Sequence, residues 1–373
     1  MSFQELPFLD VFEDATGGNI KTPRTEFLEE GAFPVVDQGQ RLVAGFVNER
    51  SRVCRATPPV IVFGDHTRAI KYVDFEFAMG ADGTKVLVPK VESDIKYLYY
   101  ALKAIEIPAA GYSRHYKFLK ETEIRLPPLA EQERIAGILD AADTLRVKRR
   151  EALAELDTLL QATFLDMFGD PATNPMGWEE RTLGELARNS FRNGLSPSTQ
   201  GTIDGEVLTL SAITRGRFDF AARKRARFDK QPSPSQKLST DTFLICRGNG
   251  NRQLVGIGVY PDRSSSRICF PDTMIGVAVR PDIIAPAYLQ SVWCTSRVRT
   301  QIERGARTTN GIHKVNQGLL SSIVFPVPPA DLQLHFTAVA ESVGQQEACH
   351  RAHLAELDTL FASLQSRAFS GDL

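Results

Sequence analysis

The chain has no long hydrophobic run, since no stretch of about 18 apolar residues occurs. A helix needs roughly that length to cross a bilayer, so we expect neither a membrane span nor a membrane partner. The N-terminus, MSFQELPFLD, has neither a basic start nor an apolar core, which argues against a signal peptide. A cytoplasmic location is therefore expected.

Cysteine is scarce, and its spacing is not that of a disulfide framework or a zinc site. No CxxC pair occurs, which favours reduced thiols. Cys349, His350 and His353 could share one helical turn and hold a metal, but a fourth ligand is not apparent. We therefore expect no metal. The five cysteines are Cys54, Cys246, Cys269, Cys294 and Cys349.

Catalytic and cofactor-binding motifs are also missing. No GxGxxG or GK[ST] motif follows a strand, and Asn174-Pro175 is followed by Met176 instead of completing the NPPY tetrapeptide of amino-methyltransferases. Three Pro-Asp pairs invite a nuclease interpretation, but they suit turns better because no acidic-x-Lys partner follows. The sequence thus predicts a non-catalytic chain that binds no cofactor.

What the sequence does contain is a long stretch that occurs twice, shifted by 201 positions. Pro127-Pro128 and LAELDTL at 153–159 recur as Pro328-Pro329 and LAELDTL at 354–360. Over residues 127–170 this shift gives 12 identities in 44 positions without a gap. A repeat of this length indicates duplicated domains and not a short-period solenoid.

Each copy has the spacing of a long helix, with alternating steps of three and four that are typical of a coiled-coil seam. An amphipathic helix packed on its own domain is the simpler interpretation. Two matching seams nevertheless favour antiparallel packing of the helices on each other, with Arg149 near His350 and His353. The first seam comprises Ile135, Ile138, Ala142, Leu145, Arg149, Ala152, Leu156, Leu159 and Thr163; the second comprises Phe336, Val339, Val343, Gln346, His350, His353, Leu357, Leu360 and Leu364.

The formal net charge of −1 conceals a strong segregation of charge. Residues 171–327 hold 21 basic and 12 acidic side chains, whereas residues 1–126 hold 16 and 18. Both helical segments are acidic, with 5 basic and 9 acidic residues in 127–170 and 2 and 6 in 328–373. The second globular block is therefore a candidate for binding a polyanion, although a solvated surface with a chance imbalance remains the alternative.

In the first block, apolar runs with polar ends predict strands at 34–40, 60–68 and 84–90, and 95–105 predicts a helix. The following loop, AGYSRHYKFLK, combines cations, an imidazole and aromatic rings that could contact phosphates and base edges. A surface loop with a packed tyrosine would be the more common explanation. The DNA-binding candidates of this block are Gln38, Gln40, Arg41, His66, Arg68, Arg114, His115, Tyr116 and Lys117.

In the second block, residues 217–230 (RFDFAARKRARFDK) form a basic cluster that suits a phosphate-facing ribbon, or alternatively a mobile charged loop. Residues 244–260 contain RGNGN, in which arginine and asparagine could read guanine and adenine. Its two glycines would let the backbone approach DNA but also suit a plain hairpin. The candidates here are Arg217, Arg223, Lys224, Arg225, Arg227, Arg247, Asn249, Asn251 and Arg252.

The order and duplication of these motifs resemble a known family. LPPLAEQERIAGILDAADTL, continued through LAELDTLLQATFLDMFGDP, resembles the central region of the DNA-specificity subunit of type I restriction-modification enzymes. QGQRLVAGF, IVFGDHTRAIKYVDFEFAMGADGTKVL and GYSRHYKFLKETEIRLPPLAEQ resemble one class of its target-recognition domains. The second copy departs from the pattern, because it has PPADLQ where the first has PPLAEQ. Residues 288–316 resemble the helix and loop that close the first block, with Arg307, Thr308, Asn310, His313 and Lys314 in that loop.

The resemblance implies an α+β fold arranged as a pseudo-two-fold tandem repeat. Target-recognition domains at 1–126 and 171–327 would be separated by two long antiparallel coiled-coil helices at 127–170 and 328–373. Each domain would read one half of a split target in double-stranded DNA. The implied partners are two copies of a methyltransferase subunit that carries S-adenosylmethionine, with a restriction or translocase subunit left open. The alternatives are a nuclease or methyltransferase with an unrecognised site, and a helical-arm protein that binds RNA or acidic protein.

Overall fold

The structure is a computed structural model that describes residues 4–108, 111, 113–309 and 311–373. Its contacts group the chain into two compact units, one formed by Met1–Ala152 with His350–Leu373 and the other by Leu153–Cys349. These units differ from the four segments expected from the sequence, because each long helix contributes residues to both of them.

Numbered in chain order, the elements of the first unit are β1 (Gln4–Pro7), α1 (Phe8–Val11), β2 (Phe12–Asp14), β3 (Phe33–Val36), β4 (Gly45–Val47), β5 (Val60–Gly64), β6 (Ile70–Val73), β7 (Ala78–Met79), β8 (Thr84–Pro89), α2 (Ile95–Ala104), α3 (Tyr116–Leu119), β9 (Glu123–Leu126) and the first part of α4 (Leu129–Phe168). Its strands form two main sheets, of order β2-β8-β5-β6 and β4-β3-β7, and an antiparallel pair of β1 with β9.

Strand β5 lies in the interior, which explains its continuous apolar sequence. All five of its residues are buried, with Ile61 and Phe63 in one apolar core and Val60 and Val62 in another. A strand covered on both faces is an unbroken apolar run rather than an alternating one. The predicted strands around β3, β5 and β8 and the predicted helix α2 are confirmed.

The elements of the second unit are the rest of α4, β10 (Glu180–Thr182), α5 (Leu183–Leu186), β11 (Arg192–Asn193), β12 (Ile203–Leu208), β13 (Arg223–Phe228), β14 (Lys237–Leu238), β15 (Phe243–Cys246), β16 (Gly248–Asn249), β17 (Gly258–Val259), β18 (Ser265–Cys269), β19 (Met274–Val277), α6 (Pro286–Trp293), α7 (Ser296–Gly305), β20 (Arg307–Thr309), β21 (Ile312–Lys314), α8 (Gln317–Ser321), β22 (Val324–Pro326) and the first part of α9 (Ala330–Ser370), whose end lies in the first unit. Its strands form four-stranded sheets of order β11-β19-β15-β17 and β13-β12-β18-β14, a three-stranded sheet β16-β21-β20, and the pair β10-β22.

Both units mix helices with largely antiparallel sheets, so the α+β class is confirmed. Within the described ranges, none of the helices has the length and apolar character needed to cross a bilayer.

The repeated glutamine seats each long helix on a globular domain in the same way. Gln132 is buried, donates to the carbonyl of Pro127 at 2.8 Å and accepts from the backbone N–H of Asp94 at 3.0 Å. Its equivalent, Gln333, is also buried, donates to Pro328 at 2.7 Å and accepts from the N–H of Ala285 at 2.7 Å. Asp94 and Ala285 are the N-cap residues of α2 and α6.

An aromatic contact also attaches a long helix to each globular domain. In the first unit the ring of Phe369 lies 5.6 Å from that of Tyr97, whose hydroxyl donates to the carbonyl of Arg125 at 2.7 Å. In the second unit Phe168 lies 4.9 Å from Tyr288, whose hydroxyl donates to Pro326 at 2.7 Å. The end of one long helix therefore packs beside the beginning of the other in each unit, which is antiparallel pairing.

Equivalent positions of the repeat also meet, since Arg149 Nη1 donates to His350 Nδ1 at 2.7 Å. The expectation that antiparallel pairing brings Arg149 to His350 is confirmed. The regular heptad seam is wrong in detail, because Leu145 and Leu159 are 50% and 53% exposed. A straight helix drifts by about 20° per heptad, which carries a strict seam away from the buried face.

Candidate nucleic-acid interface

Two segments that are distant in the sequence meet in the sheet β16-β21-β20, which we call the hairpin sheet. Residues that lie directly opposite each other on antiparallel strands project from the same face of the sheet. Each row of opposed residues across the three strands therefore has its side chains on one face. Two rows cross the sheet: Gly248, Lys314 and Arg307 in one, and Asn249, His313 and Thr308 in the other.

The two faces of the hairpin sheet differ in whether their polar side chains already have partners within the protein. On one face Thr308 Oγ1 and His313 Nδ1 lie 2.9 Å apart and hydrogen-bond to each other. On the other face Arg307 and Lys314 are exposed and have no ion-pair partner among the residues that the structure describes. Unpaired, solvated cations are the groups that phosphate binding requires.

The face with Lys314 borders a cleft of about 390 Å³. Asn249, Asp272 and Ile312 are among its lining residues, together with the backbone of Gly248. Hydrogen-bond donors, acceptors and an apolar group thus line one concave surface beside two cations, which is the chemistry needed to contact a phosphate backbone and a base edge together.

Several candidates of the RGNGN segment shape this cleft through contacts of their own. Arg247 Nη1 donates to the carbonyl of Asp272 at 3.1 Å. Asn249 Oδ1 accepts from the N–H of Asn251 at 2.9 Å, and Asn251 Oδ1 in turn accepts from the N–H of Gln253 at 3.0 Å. Asn249 and Asn251 thus use their side-chain oxygens to stabilise the turn. Their side-chain NH2 groups are the donors that they can offer to a ligand.

Arg252 also has an intramolecular partner. Its Nη2 donates to the carbonyl of Glu303 at 3.2 Å, which ties the turn to α7. The side chain is nevertheless exposed.

The basic cluster at 217–230 includes the edge strand β13, and pairing with β12 neutralises part of its charge. Arg223 Nε lies 3.4 Å from Glu206 Oε1, and its Nη1 donates to the carbonyl of Phe220 at 2.6 Å. Arg227 Nε lies 3.5 Å from Asp204 Oδ1. The exposed cations of this cluster that have no ion pair within the described ranges are Arg217, Lys224, Arg225 and Lys230.

In the first unit, a cleft of about 340 Å³ is lined by residues that include Arg24, Asp37, Gln38 and Thr67. Gln38 is fixed there because its carbonyl accepts from Thr67 Oγ1 and its Oε1 accepts from the N–H of His66 at 3.3 Å. Sequence reasoning selected Gln38 and His66 but missed Arg24 and Asp37.

A buried lysine beneath this cleft was also missed. Lys71 is 5% exposed, its Nζ donates to the carbonyl of Asp37 at 2.7 Å, and it lies 3.5 Å from Asp37 Oδ1. Burial lowers the pKa of Lys71, although the neighbouring Asp37 opposes that effect. The available signal was a lysine inside the alternating run IKYV of β6.

Close packing further restrains the turn at Asp37 and Gln38. A Cβ at Gly64 would lie 2.5 Å from the carbonyl oxygen of Gln38, and a Cβ at Gly80 would lie 2.5 Å from the Cβ of Asp37. The turn therefore depends on the absence of side chains at two positions of the neighbouring backbone.

His115 occupies the protein interior and is not placed to contact DNA. It is 2% exposed, and its Nδ1 lies 2.9 Å from the carbonyl oxygen of Asp65. The sequence near His115 offers no hydrogen-bond partner for the imidazole, and for that reason His115 was expected to bind DNA. The tertiary fold supplies the partner, the carbonyl of Asp65. Tyr116 is half-buried, with its ring 5.9 Å from that of Phe8.

The remaining candidates of the first unit are exposed. Arg68 is tied down, because its Nη1 donates to the carbonyl of Ile107 at 2.9 Å. Gln40, Arg41, Arg114 and Lys117 are open to solvent.

Asn310 lies outside the described residues. Within the described ranges, His, Cys, Asp and Glu side chains form no group of three or more that could hold a metal ion.

A family model described as "Type I restriction modification DNA specificity domain" matches residues 4–156. The matched range is less than half of the 373 residues. It comprises the strands and helices that precede α4 and the part of α4 up to residue 156.

A curated relative supports the same assignment. The EcoR124I/EcoR124II specificity subunit of a type I restriction enzyme from Escherichia coli is 30% identical over 44% of this chain. The match covers 43% of that relative, so this chain spans less than half of the relative's length in the comparison.

A solved structure extends the similarity beyond the specificity domain at the level of fold. The S subunit of a type I restriction-modification system from M. genitalium matches 99% of this chain and 96% of its own, with a TM-score of 0.61 and 16% identity. The resemblance to specificity subunits inferred from the sequence is thus confirmed.

Proposed function

We propose that the chain is the DNA-recognition subunit of a type I restriction-modification enzyme and that each of its two globular domains reads one half of a split target. The observation that carries the proposal is the hairpin sheet, which presents Arg307 and Lys314, both without an ion-pair partner among the described residues, beside a cleft lined in part by Asn249. Similarity of residues 4–156 to DNA specificity domains supports it independently.

In this proposal the first domain uses the cleft at Asp37 and Gln38 for its own half-target. Asp37 is an acceptor-only group and Gln38 offers both a donor and an acceptor, so the pair can discriminate base edges. A carboxylate beside DNA repels phosphate, which favours a contact of Asp37 with a base edge.

The chain performs no chemistry itself in this proposal. S-adenosylmethionine would be held by two methyltransferase subunits in the cytoplasm, and a restriction or translocase subunit would join the same assembly. The long helices α4 and α9 would supply the surface on which these partners assemble.

A salt titration of DNA binding tests the proposal. The logarithm of the association constant should fall linearly with the logarithm of salt concentration, and Lys314→Gln should reduce the slope by about 0.9, the value expected for one lost phosphate contact. The measurement is fluorescence anisotropy of the full chain on labelled duplex DNA, with the methyltransferase partner co-purified in a parallel series.

Arg181→Gln is the matched control, since Arg181 lies on β10 and already has a partner in Glu179 at 2.8 Å. It removes the same charge and should leave the slope unchanged. If Lys314→Gln behaves like Arg181→Gln, the hairpin sheet does not contact phosphate. Equal competition by RNA would favour an RNA-binding function, and cleavage or methylation by the chain alone would favour an enzyme.

A further inference from the structure

Ile312 is an aliphatic side chain in an otherwise polar part of the hairpin sheet. It is 42% exposed, and Met176, which precedes β10, is the other exposed large apolar side chain within the described part of 171–327. Single exposed apolar residues are common on protein surfaces, so exposure alone does not suggest a function. The position of Ile312 relative to its neighbours does.

Ile312 lies two residues from Lys314 on β21, so both side chains project from the same face of the strand. Both also line the 390 Å³ cleft. If the ammonium group of Lys314 contacts a phosphate, Ile312 is held beside the nucleotide or nucleotides next to that phosphate.

The backbone around Ile312 leaves its flank accessible. Gly248 lies beside it on β16, where an added Cβ would be 3.9 Å from Ile312 Cγ2 and 3.2 Å from Lys314 Cγ. Any side chain at Gly248 would therefore cover part of the surface that Ile312 presents. On the other side Gly311 has a φ of +73°, a conformation that forms the tight turn preceding Ile312.

An aliphatic group gains little from a phosphate or from the polar edges of bases. In the major groove, the apolar group that a base edge offers is the 5-methyl of thymine. We infer that Ile312 contacts the 5-methyl group of a thymine in the half-target of the second domain and is a specificity-determining residue. This inference rests on the proposed function.

A double-mutant cycle that combines variants of Ile312 with replacement of thymine by uracil tests the contact between Ile312 and the methyl group. The preferred target is first selected from a random duplex library with the full-length chain, and each thymine of the second half-target is then replaced by uracil, which removes only the methyl group. At one position this replacement should weaken binding of the unmodified protein about four-fold, the equivalent of one buried methyl-sized group.

Ile312→Ala should bind thymine and uracil DNA equally at that position, and Ile312→Val should retain most of the discrimination. Met176→Ala, which shortens the other exposed apolar side chain, should keep the full four-fold difference. Thermal unfolding of the Ile312 variants is measured alongside, and the half-exposed position makes a large loss of stability unexpected.

The outcomes distinguish failure of the proposed function from failure of the contact at Ile312. Without sequence-preferring DNA binding by the unmodified protein, the proposed function itself fails. If the protein selects a target but tolerates uracil throughout the second half, the inference alone is overturned. The inference would also be overturned if Ile312→Ala, compared with the unmodified protein, lost the same factor in affinity on thymine DNA and on uracil DNA. That result would indicate that Ile312 inserts between base steps instead of contacting the methyl group.

Discussion

The two units hold the pair of long helices with different chemistry. In the second unit the helices meet through aromatic rings, with Phe336 5.7 Å from Phe164 and 5.4 Å from Phe168. In the first unit the helices also contribute to one apolar cluster, but polar contacts are added to it, since Arg146 Nε donates to Asp358 Oδ1 at 2.7 Å and Arg149 hydrogen-bonds to His350.

The difference follows from which positions of the repeat are identical. Gln132 and Gln333 are identical, and so are Phe168 and Phe369, and these residues attach the helices to the domains. The position of Phe164 in the first copy is Gln365 in the second. Identical residues therefore attach each helix to its domain in the same way, whereas the exchange of Phe164 for Gln365 places an aromatic ring at this position in one unit and an amide in the other.

The largest effect is expected from Phe164→Ala, which removes a buried ring from the aromatic contact of the second unit. The free energy of unfolding of that unit should fall by about 3–5 kcal/mol because of the lost burial and the cavity left behind. Denaturant unfolding followed by tryptophan fluorescence reports on this unit, since Trp178 and Trp293 both lie in it.

Gln365→Ala at the equivalent position is the control for that prediction. Gln365 is half-buried and makes one long bond, with Nε2 3.4 Å from the carbonyl of Tyr100. We expect a loss of about 1 kcal/mol or less, measured by circular dichroism because both tryptophans lie in the second unit. Equal losses for Phe164→Ala and Gln365→Ala would mean that the two helix contacts do not differ in strength.

An intermediate effect is expected from the repeated glutamines. Gln333→Ala should lower the free energy of unfolding by about 2–3 kcal/mol, because the N–H of Ala285 and the carbonyls of Pro328 and Ile283 lose their partner. Gln132→Ala should cost somewhat less, since Gln132 makes two such bonds.

Circular dichroism of the denaturant transition measures both glutamine variants. The exposed Gln345 lies on the same helix as Gln333, so Gln345→Ala serves as the control and should change stability little. A negligible effect of Gln333→Ala would show that the repeated glutamine does not seat the helix.

The smallest effect is expected from Arg146→Met, which keeps the apolar stem and removes the charge that faces Asp358. Arg146 is 17% and Asp358 46% exposed, so the pair should contribute about 1 kcal/mol and less at high salt. Unfolding of the first unit in low and high salt tests this. A salt-independent loss would indicate that the ring of Phe361, 4.3 Å from the guanidinium, provides most of the contact.

The sequence by itself determined the features that depend on local pattern. The repeat located both long helices, and β5 and α2 followed from their apolar spacing, because periodicity and turn residues act over a few positions. The excess of positive charge in 171–327 is likewise a property of composition alone. The family resemblance depended on the same short motifs and their order.

Only the tertiary structure decided which of the selected side chains are available. Pairing of β12 with β13 sets Arg223 and Arg227 against carboxylates, and folding of the first unit buries His115. The hairpin sheet joins Gly248 to Lys314, 66 positions later in the chain. Register and burial depend on such long-range contacts, and the spacing of residues along the sequence does not encode them.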